Sequence, residues 1–377
     1  MRKLIQISYV AAAWLICLSI LNSCIEKIDF KVPAADLQLV VDGMITDDLG
    51  PYTVKLSQGL SLNIDSVILV PVEKAIITLF DDEGNKESFT ESTSGIYTTA
   101  GNIQGQIGHA YHIRIETEEG KIFESDPEMI HPVGSVDAIK YEFEARNIEK
   151  YYGLVAADVF NIYVDAHSLE TEENYVRWRF KGTYKATTNP ELHMTISTVY
   201  TPYKSPLPCS GYIVIAFVPG GKLEKVEECT CCTCWVNDFE SAPSLSDVEL
   251  VSGGIFRNVK VGEIPINVST FHEKYLVEVE QMSLTSSTYE FFKLIRNQKL
   301  QAASLFQPPG GVIIGNLHAV NNDDTVIGLF WATSITKKSL FIQRSEVPYP
   351  LTDKTIVTDE CTNYYPNSFN EKPSSWD

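Results

Sequence analysis

Four cysteines fall within six residues, in Glu228-Cys229-Thr230-Cys231-Cys232-Thr233-Cys234-Trp235, and no other stretch constrains the fold of this chain as much. In an extended strand successive side chains point to opposite faces, so Cys229 and Cys231 would look one way and Cys232 and Cys234 the other. One short segment could then be stapled to structure on both sides. Three chemistries compete for it. Disulfides need an oxidising compartment. The overlapping C-x-x-C spacings also admit a redox pair, which wants its first cysteine exposed at a helix N-terminus. A metal knuckle usually draws two pairs from separated segments. The Thr-rich surroundings carry no helical period, and outside the cluster only Cys209 and Cys361 stand as distant partners.

The N-terminus points to the compartment. Arg2 and Lys3 precede an apolar stretch from Val10 to Leu21. Such a run suits the core of a signal peptide and falls short of the ~20 residues needed to span a bilayer. It ends in Leu21-Asn22-Ser23-Cys24, which resembles a bacterial lipobox, with Asn22 departing from the smaller residue usual there. Cleavage would remove residues 1–23 and leave Cys24 as an N-terminus carrying a diacylglycerol thioether and an N-acyl chain, enough acyl chains for stable anchoring. Ile25 follows, where an Asp would favour inner-membrane retention in many Gram-negative bacteria, so the expected address is the outer membrane, with the leaflet open. Cys17 leaves with the signal. Cys209, Cys229, Cys231, Cys232, Cys234 and Cys361 remain, an even count that reads as disulfides in an exported protein. No metal is expected. At least one cluster cysteine is expected to bond Cys361, closing a loop of more than 120 residues.

The rest of the chain reads as mostly β. Residues 24–35 form a lipidated tether, and residues 36–132 an immunoglobulin- or transthyretin-like sandwich of short strands. Tyr52-Thr53-Val54-Lys55-Leu56 alternates, Ala75 to Phe80 runs into the turn residues Asp81-Asp82-Glu83-Gly84-Asn85, and Glu118-Glu119-Gly120 joins another strand pair. Asp126-Pro127, His131-Pro132 and Gly134 mark the exit. Residues 133–362 alternate again, in Ala138–Phe143, Val159–Val164, Tyr175–Phe180, Tyr212–Val218 and Tyr275–Val279. This larger β-rich domain carries one helix near 285–301, with Tyr289, Phe292, Ile295 and Leu300 near helical spacing and Ser286-Ser287-Thr288 as capping side chains. Pro308-Pro309-Gly310-Gly311 is a stiff turn and Val326–Thr333 a late strand. The polar tail, 363–377, is expected to fray.

These features come in a fixed order: lipobox, charged start, first sandwich, Cys234-Trp235, then Tyr289-Glu290-Phe291-Phe292-Lys293. Pro308-Pro309, Gly315-Asn316, Gly328-Leu329-Phe330 and Cys361 follow. The chain thereby resembles the Bacteroidetes outer-membrane lipoproteins known as domain of unknown function 4249, over about Cys24 to Cys361. The resemblance implies an outer-membrane lipoprotein often encoded near TonB-dependent receptors, with no established activity and no catalytic residues to carry over.

Motifs for chemistry are sparse. His272-Glu273 begins like a zincin, but Leu276 stands where the second histidine would be. Gly310 and Gly315 have Walker A spacing, yet Asn316-Leu317 replaces the Lys-Ser/Thr that cradles phosphate. His109 and His112, three apart, would fall on opposite faces of a strand. The pairs Asp47-Asp48, Asp81-Asp82 and Asp323-Asp324 read as solvated turns, although loops of this kind can offer oxygen to calcium. Trp178, Tyr200, Tyr203 and Trp235 could stack on a glycan, with core packing the plainer reading. Asp65-Ser66-Val67 and Asp324-Thr325-Val326 resemble the Asp-Ser/Thr-apolar acceptor of O-glycosylation in Bacteroidetes, which makes Ser66 and Thr325 candidate sites. The net charge of −19 opposes phosphate neutralisation and excludes nucleic acid as a natural partner. Removal of residues 1–23 leaves 28 basic against 49 acidic residues, a net −21, so attachment to an anionic membrane would have to be covalent or through another protein. The expected function is a non-enzymatic outer-membrane accessory lipoprotein, without catalytic residues or cofactor beyond its lipid, working with a TonB-dependent transporter in substrate capture or gating. The alternatives are a surface adhesin or glycan binder, and a hydrolase whose site converges only in the fold.

Overall fold

The computed structural model describes residues 38–63, 66–151, 153–169, 175–196, 202–216, 222–246, 253–301, 313, 315–352 and 356–376. The chain is mostly β, as its alternating pattern predicts, and its strands build two sandwiches. In the first, Gln38–Thr46 pairs with Thr53–Asn63, which leads through Ile96–Thr98 to Thr90–Thr93. Facing it, Ile76–Asp81 and Ala110–Glu116 pair, with Ile122–Ser125 beyond. Alternation explains the core: Val41, Val54, Leu56, Ile77, Leu79, Ile113 and Ile115 all point inward and are buried. The predicted hairpin turn at Asp81 forms, its carboxylate accepting from the backbone N–H of Glu83 at 3.1 Å and Asn85 at 2.7 Å.

The first sandwich is not the contiguous 36–132 that the sequence suggests. Leu317–Ala319 pairs with Ile122–Ser125, and Val326–Thr333 pairs in parallel with Gln38–Thr46 over eight residues. Hydrophobic alternation marks Val326–Thr333 as a strand but carries no address for the sheet it joins. Close approach enables the pairing. Gly328 has φ +113°, and a Cβ there would sit 1.9 Å from the Val41 carbonyl oxygen. Asn316 locks the crossing, donating to the Phe330 carbonyl at 2.7 Å and accepting from its N–H at 3.1 Å.

The second sandwich sets Ser135–Glu144, Val159–His167 and Ile255–Pro265 against a larger sheet of order Ile335–Gln343, Lys274–Ser283, Val176–Thr187, Thr233–Phe239 and Ser368–Phe369. Trp178, Phe180, Ile162, Phe271 and Tyr275 fill it. Tyr275 lies flat over Gly182, where a Cβ would meet its hydroxyl at 1.7 Å. The helix Ser286–Gln301 packs Tyr289 and Phe292 between the sandwiches, against Leu329 and Trp331 on the outer face of Val326–Thr333. Leu300, expected on its apolar stripe, is exposed. After Ser334 the same run continues as Ile335–Gln343, so one β arm edges both sandwiches.

The tail does not fray. Cys361–Tyr364 is a short helix, Ser368–Phe369 pairs with Trp235 and Val236, and Trp376 is buried edge-on to Phe341, ring centroids 5.9 Å apart. Lys274 lies 3.7 Å from the Phe341 centroid and donates to the Trp376 carbonyl at 2.5 Å. Because Trp235 and Phe341 lie toward opposite edges of the large sheet, residues 370–376 cross its outer face like a strap. Composition missed this: polarity says nothing about two aromatic anchors in a short tail.

Candidate functional site

The cysteine segment is where covalent constraint and exposed surface meet. All six expected cysteines pair: Cys209–Cys231, Cys229–Cys232 and Cys234–Cys361, separated by 22, 3 and 127 residues. The strand expected across the whole cluster starts only at Thr233. Residues 230–232 bend, which lets Cys229 reach Cys232 and breaks the strict alternation of faces. Cys234 and Cys361 are fully buried and tie the end of the chain to the second core. Cys209 sits in a short 3-10 turn, Pro208–Ser210, half-buried, with the Glu360 Oε1 atom 3.5 Å from its sulfur. Backbone hydrogen bonds hold the same spot from three directions. Thr230 donates to the Cys209 carbonyl at 2.9 Å, Cys361 to that of Cys231 at 3.0 Å, and Thr188 to that of Cys232 at 2.8 Å.

The Cys209–Cys231 bond closes the base of the hairpin Tyr212–Ala216/Lys222–Lys225. An isolated two-stranded hairpin is marginal in water, so a covalent clasp at its base gives it a fixed geometry. Its side chains Ile213 and Ile215 are exposed. A second hairpin, Met194–Ile196/Pro202–Lys204, exposes Met194 and Tyr203, and a third, Asn147–Lys150/Gly153–Ala156, exposes Ile148, Leu154 (75%) and Val155. Among the described residues each of these hairpins is a two-stranded sheet of its own. Exposed apolar side chains grouped on projecting elements mark a contact surface more than a catalytic one.

Titratable groups converge elsewhere, and three of these groupings are taken up by the fold itself. Buried Glu128 accepts hydrogen bonds from the hydroxyls of Thr285 (2.5 Å), Ser287 (2.9 Å) and Thr288 (3.0 Å) and so ties down the first turn of the helix Ser286–Gln301. The backbone cap of that helix is Thr285, one residue before the expected Ser286-Ser287-Thr288, accepting from the Thr288 N–H at 3.2 Å. Arg177 pairs with Glu240 at 2.8 Å and lies 4.3 Å over the Phe292 ring; burial pulls its guanidinium below the ordinary arginine range. Asp238 accepts from the Tyr275 hydroxyl at 3.0 Å, and burial raises its carboxyl above the ordinary value against that hydrogen bond. Burial, then the charge of Asp238, raises the Tyr275 phenol well above its usual range.

Of the other sequence candidates, Cys24 lies outside the described residues, as do Tyr200 and Pro308-Pro309. Ser66 opens the strand Ser66–Pro71, with Asp65 outside the description. Thr325 is exposed just before Val326–Thr333, beside Asp324, which pairs with Lys121 at 2.7 Å. The glycan-stacking aromatics disperse: Trp178 is in the core, Trp235 is half-buried on the outer face under the tail, and Tyr203 is on a hairpin. His109 bonds Asp82 at 2.9 Å, while His112 stacks on Phe80. Asp48 pairs with Lys337 at 2.6 Å. An apolar-floored cleft of about 190 Å³ at the end of the first sandwich, rimmed by Glu73, Glu118, Glu119 and Asp324 around Lys121, has no sequence signature, because its residues come from five separate stretches.

A family model described as a domain of unknown function matches residues 25–339. No curated protein and no solved structure matches the chain.

Proposed function

The chain belongs to the family of domain of unknown function 4249, and from that premise we propose that it is a non-enzymatic lipoprotein of the outer membrane, working beside a TonB-dependent transporter in substrate capture or gating. The reading is carried by one observation: hairpins that leave the second sandwich with apolar side chains exposed, one of them clasped at its base by Cys209–Cys231. A preorganised apolar surface binds without the ordering cost that a loose loop would incur. The lipobox-like Leu21-Asn22-Ser23-Cys24 supports a membrane address, and the absence of a recognisable catalytic motif in the sequence agrees with a binding role. Co-purification from detergent-solubilised native membranes tests it. A TonB-dependent barrel is expected in the eluate, identified by mass spectrometry, and Leu154→Asp is expected to reduce its recovery. No barrel under conditions that preserve known transporter complexes overturns the reading.

A further inference from the structure

The Cys209–Cys231 disulfide also brings together the donors of a metal site. Cys209 Sγ, Cys231 Sγ and a carboxylate oxygen of Glu360 lie within 4.8 Å of one another. Sequence spacing hides this, since Glu360 is 151 residues from Cys209. While the Cys209–Cys231 bond is intact its sulfurs have no thiolate to offer. We propose that reduction of this disulfide converts the spot into a site for a zinc-class divalent cation, held by the Cys209 and Cys231 thiolates and the Glu360 carboxylate. Water completes the tetrahedron, and the Cys229–Cys232 bond stays closed.

The chemistry balances with an external dithiol as reductant. One of its thiolates attacks a sulfur of Cys209–Cys231 and forms a mixed disulfide. Its second thiol then displaces the protein sulfur, leaving the reductant as a disulfide and the protein with two thiols. Cation binding releases the two thiol protons. Two thiolates and a carboxylate suit zinc in ligand type, and soft sulfur disfavours calcium or magnesium.

Three features argue that the donors stay together once the bond opens. The backbone hydrogen bonds from Thr230, Cys361 and Thr188 do not involve sulfur. Glu360 adjoins Cys361, which the fully buried bond to Cys234 anchors in the core. The burial that keeps Cys234–Cys361 from solvent also makes it the last of the three to meet a reductant. Around a zinc ion with bonds of about 2.3 Å the two sulfurs stand about 3.8 Å apart. The Cα atoms of Cys209 and Cys231 are 5.6 Å apart, so side-chain rotation on a fixed backbone can reach that separation.

The test uses the full mature chain, oxidised and after limited treatment with a dithiol that is then removed, with peptide mapping to establish that Cys234–Cys361 remains closed. Native mass spectrometry with Zn²⁺ is expected to show one ion per reduced chain and none per oxidised chain. Co²⁺ is expected to give a tetrahedral spectrum with thiolate charge-transfer intensity. Glu360→Gln keeps every cysteine, so it reports even if serine variants misfold, and it is expected to weaken binding at least about tenfold, the low end of what even outer-shell partners cost. No ion on the reduced chain overturns the proposal. So does equal affinity in Glu360→Gln, which would indicate unstructured thiols, and so does loss of Cys234–Cys361 before Cys209–Cys231.

Discussion

Asp238 shows how one side chain sets a pH dependence. Its partly buried carboxyl borders the second core on the Tyr275 hydroxyl, and burial raises its folded pKa above the unfolded value of about 3.9. A raised acid favours the protonated fold, so its contribution is complete below about pH 4 and is lost as pH rises through the folded value. Asn at this position can still accept the Tyr275 hydrogen bond and has no charge to desolvate. Asp238→Asn is therefore expected to gain in melting temperature relative to the parent as pH is raised from about 4 towards neutrality. Parallel thermal scans across that range check it, and a constant difference between the two proteins would exclude Asp238 as the source. Arg177 and Glu240 form the opposite case, a pair whose mutual charge makes burial tolerable, so removing either partner alone leaves the other uncompensated.

At the scale of elements, the longest clasp matters most. Cys234–Cys361 spans 127 residues, and closing a loop of that length stabilises by about 4–5 kcal/mol in the chain-entropy model. Against a typical domain stability of about 5–15 kcal/mol, the double variant Cys234→Ser/Cys361→Ser should melt far lower than the parent. The oxidised parent should ignore a chelator. Calorimetry with and without chelator measures both, and an unchanged transition in the double variant would show that the strap holds without its bond. A cluster cysteine bonded to Cys361 was legible from counting, because few partners lay outside the cluster. The bend at 230–232 was not, since alternation presumes an extended backbone and the Cys229–Cys232 bond forms only where that fails. Strand positions such as Val326–Thr333 and the helix near 285–301 were legible because they depend on local periodicity. The sheet that Val326–Thr333 joins, the strap ending at Trp376 and the Glu128 anchor of the helix's first turn were not, because each depends on partners more than 30 residues away.

For the whole molecule, the segments that define the family resemblance turn out to be architectural. Gly315-Asn316 and Gly328-Leu329-Phe330 interlock through the Asn316 side chain, and Phe292 stands edge-on to Trp331 at 5.2 Å. They mark the junction of the sandwiches, and the candidate contact surface lies on hairpins outside those motifs. Among the described residues no helix is long and apolar enough to cross a membrane. If Cys24 carries the lipid, Cys24→Ser is expected to move the protein from the membrane pellet to the soluble fraction; retention after a carbonate wash would mean that something else attaches it. The parallel ladder between Gln38–Thr46 and Val326–Thr333 bears on what a pull at the N-terminal end would do. Tension entering at Gln38 runs along a strand with a neighbour on each side, Thr53–Asn63 and Val326–Thr333. Ladder bonds lie across the strand axis, so sliding that strand out loads many of them at once in shear, where peeling would break them singly. The arm that shares the load continues into the second sandwich as Ile335–Gln343, so a tug at one end of the chain is borne by both halves of the protein.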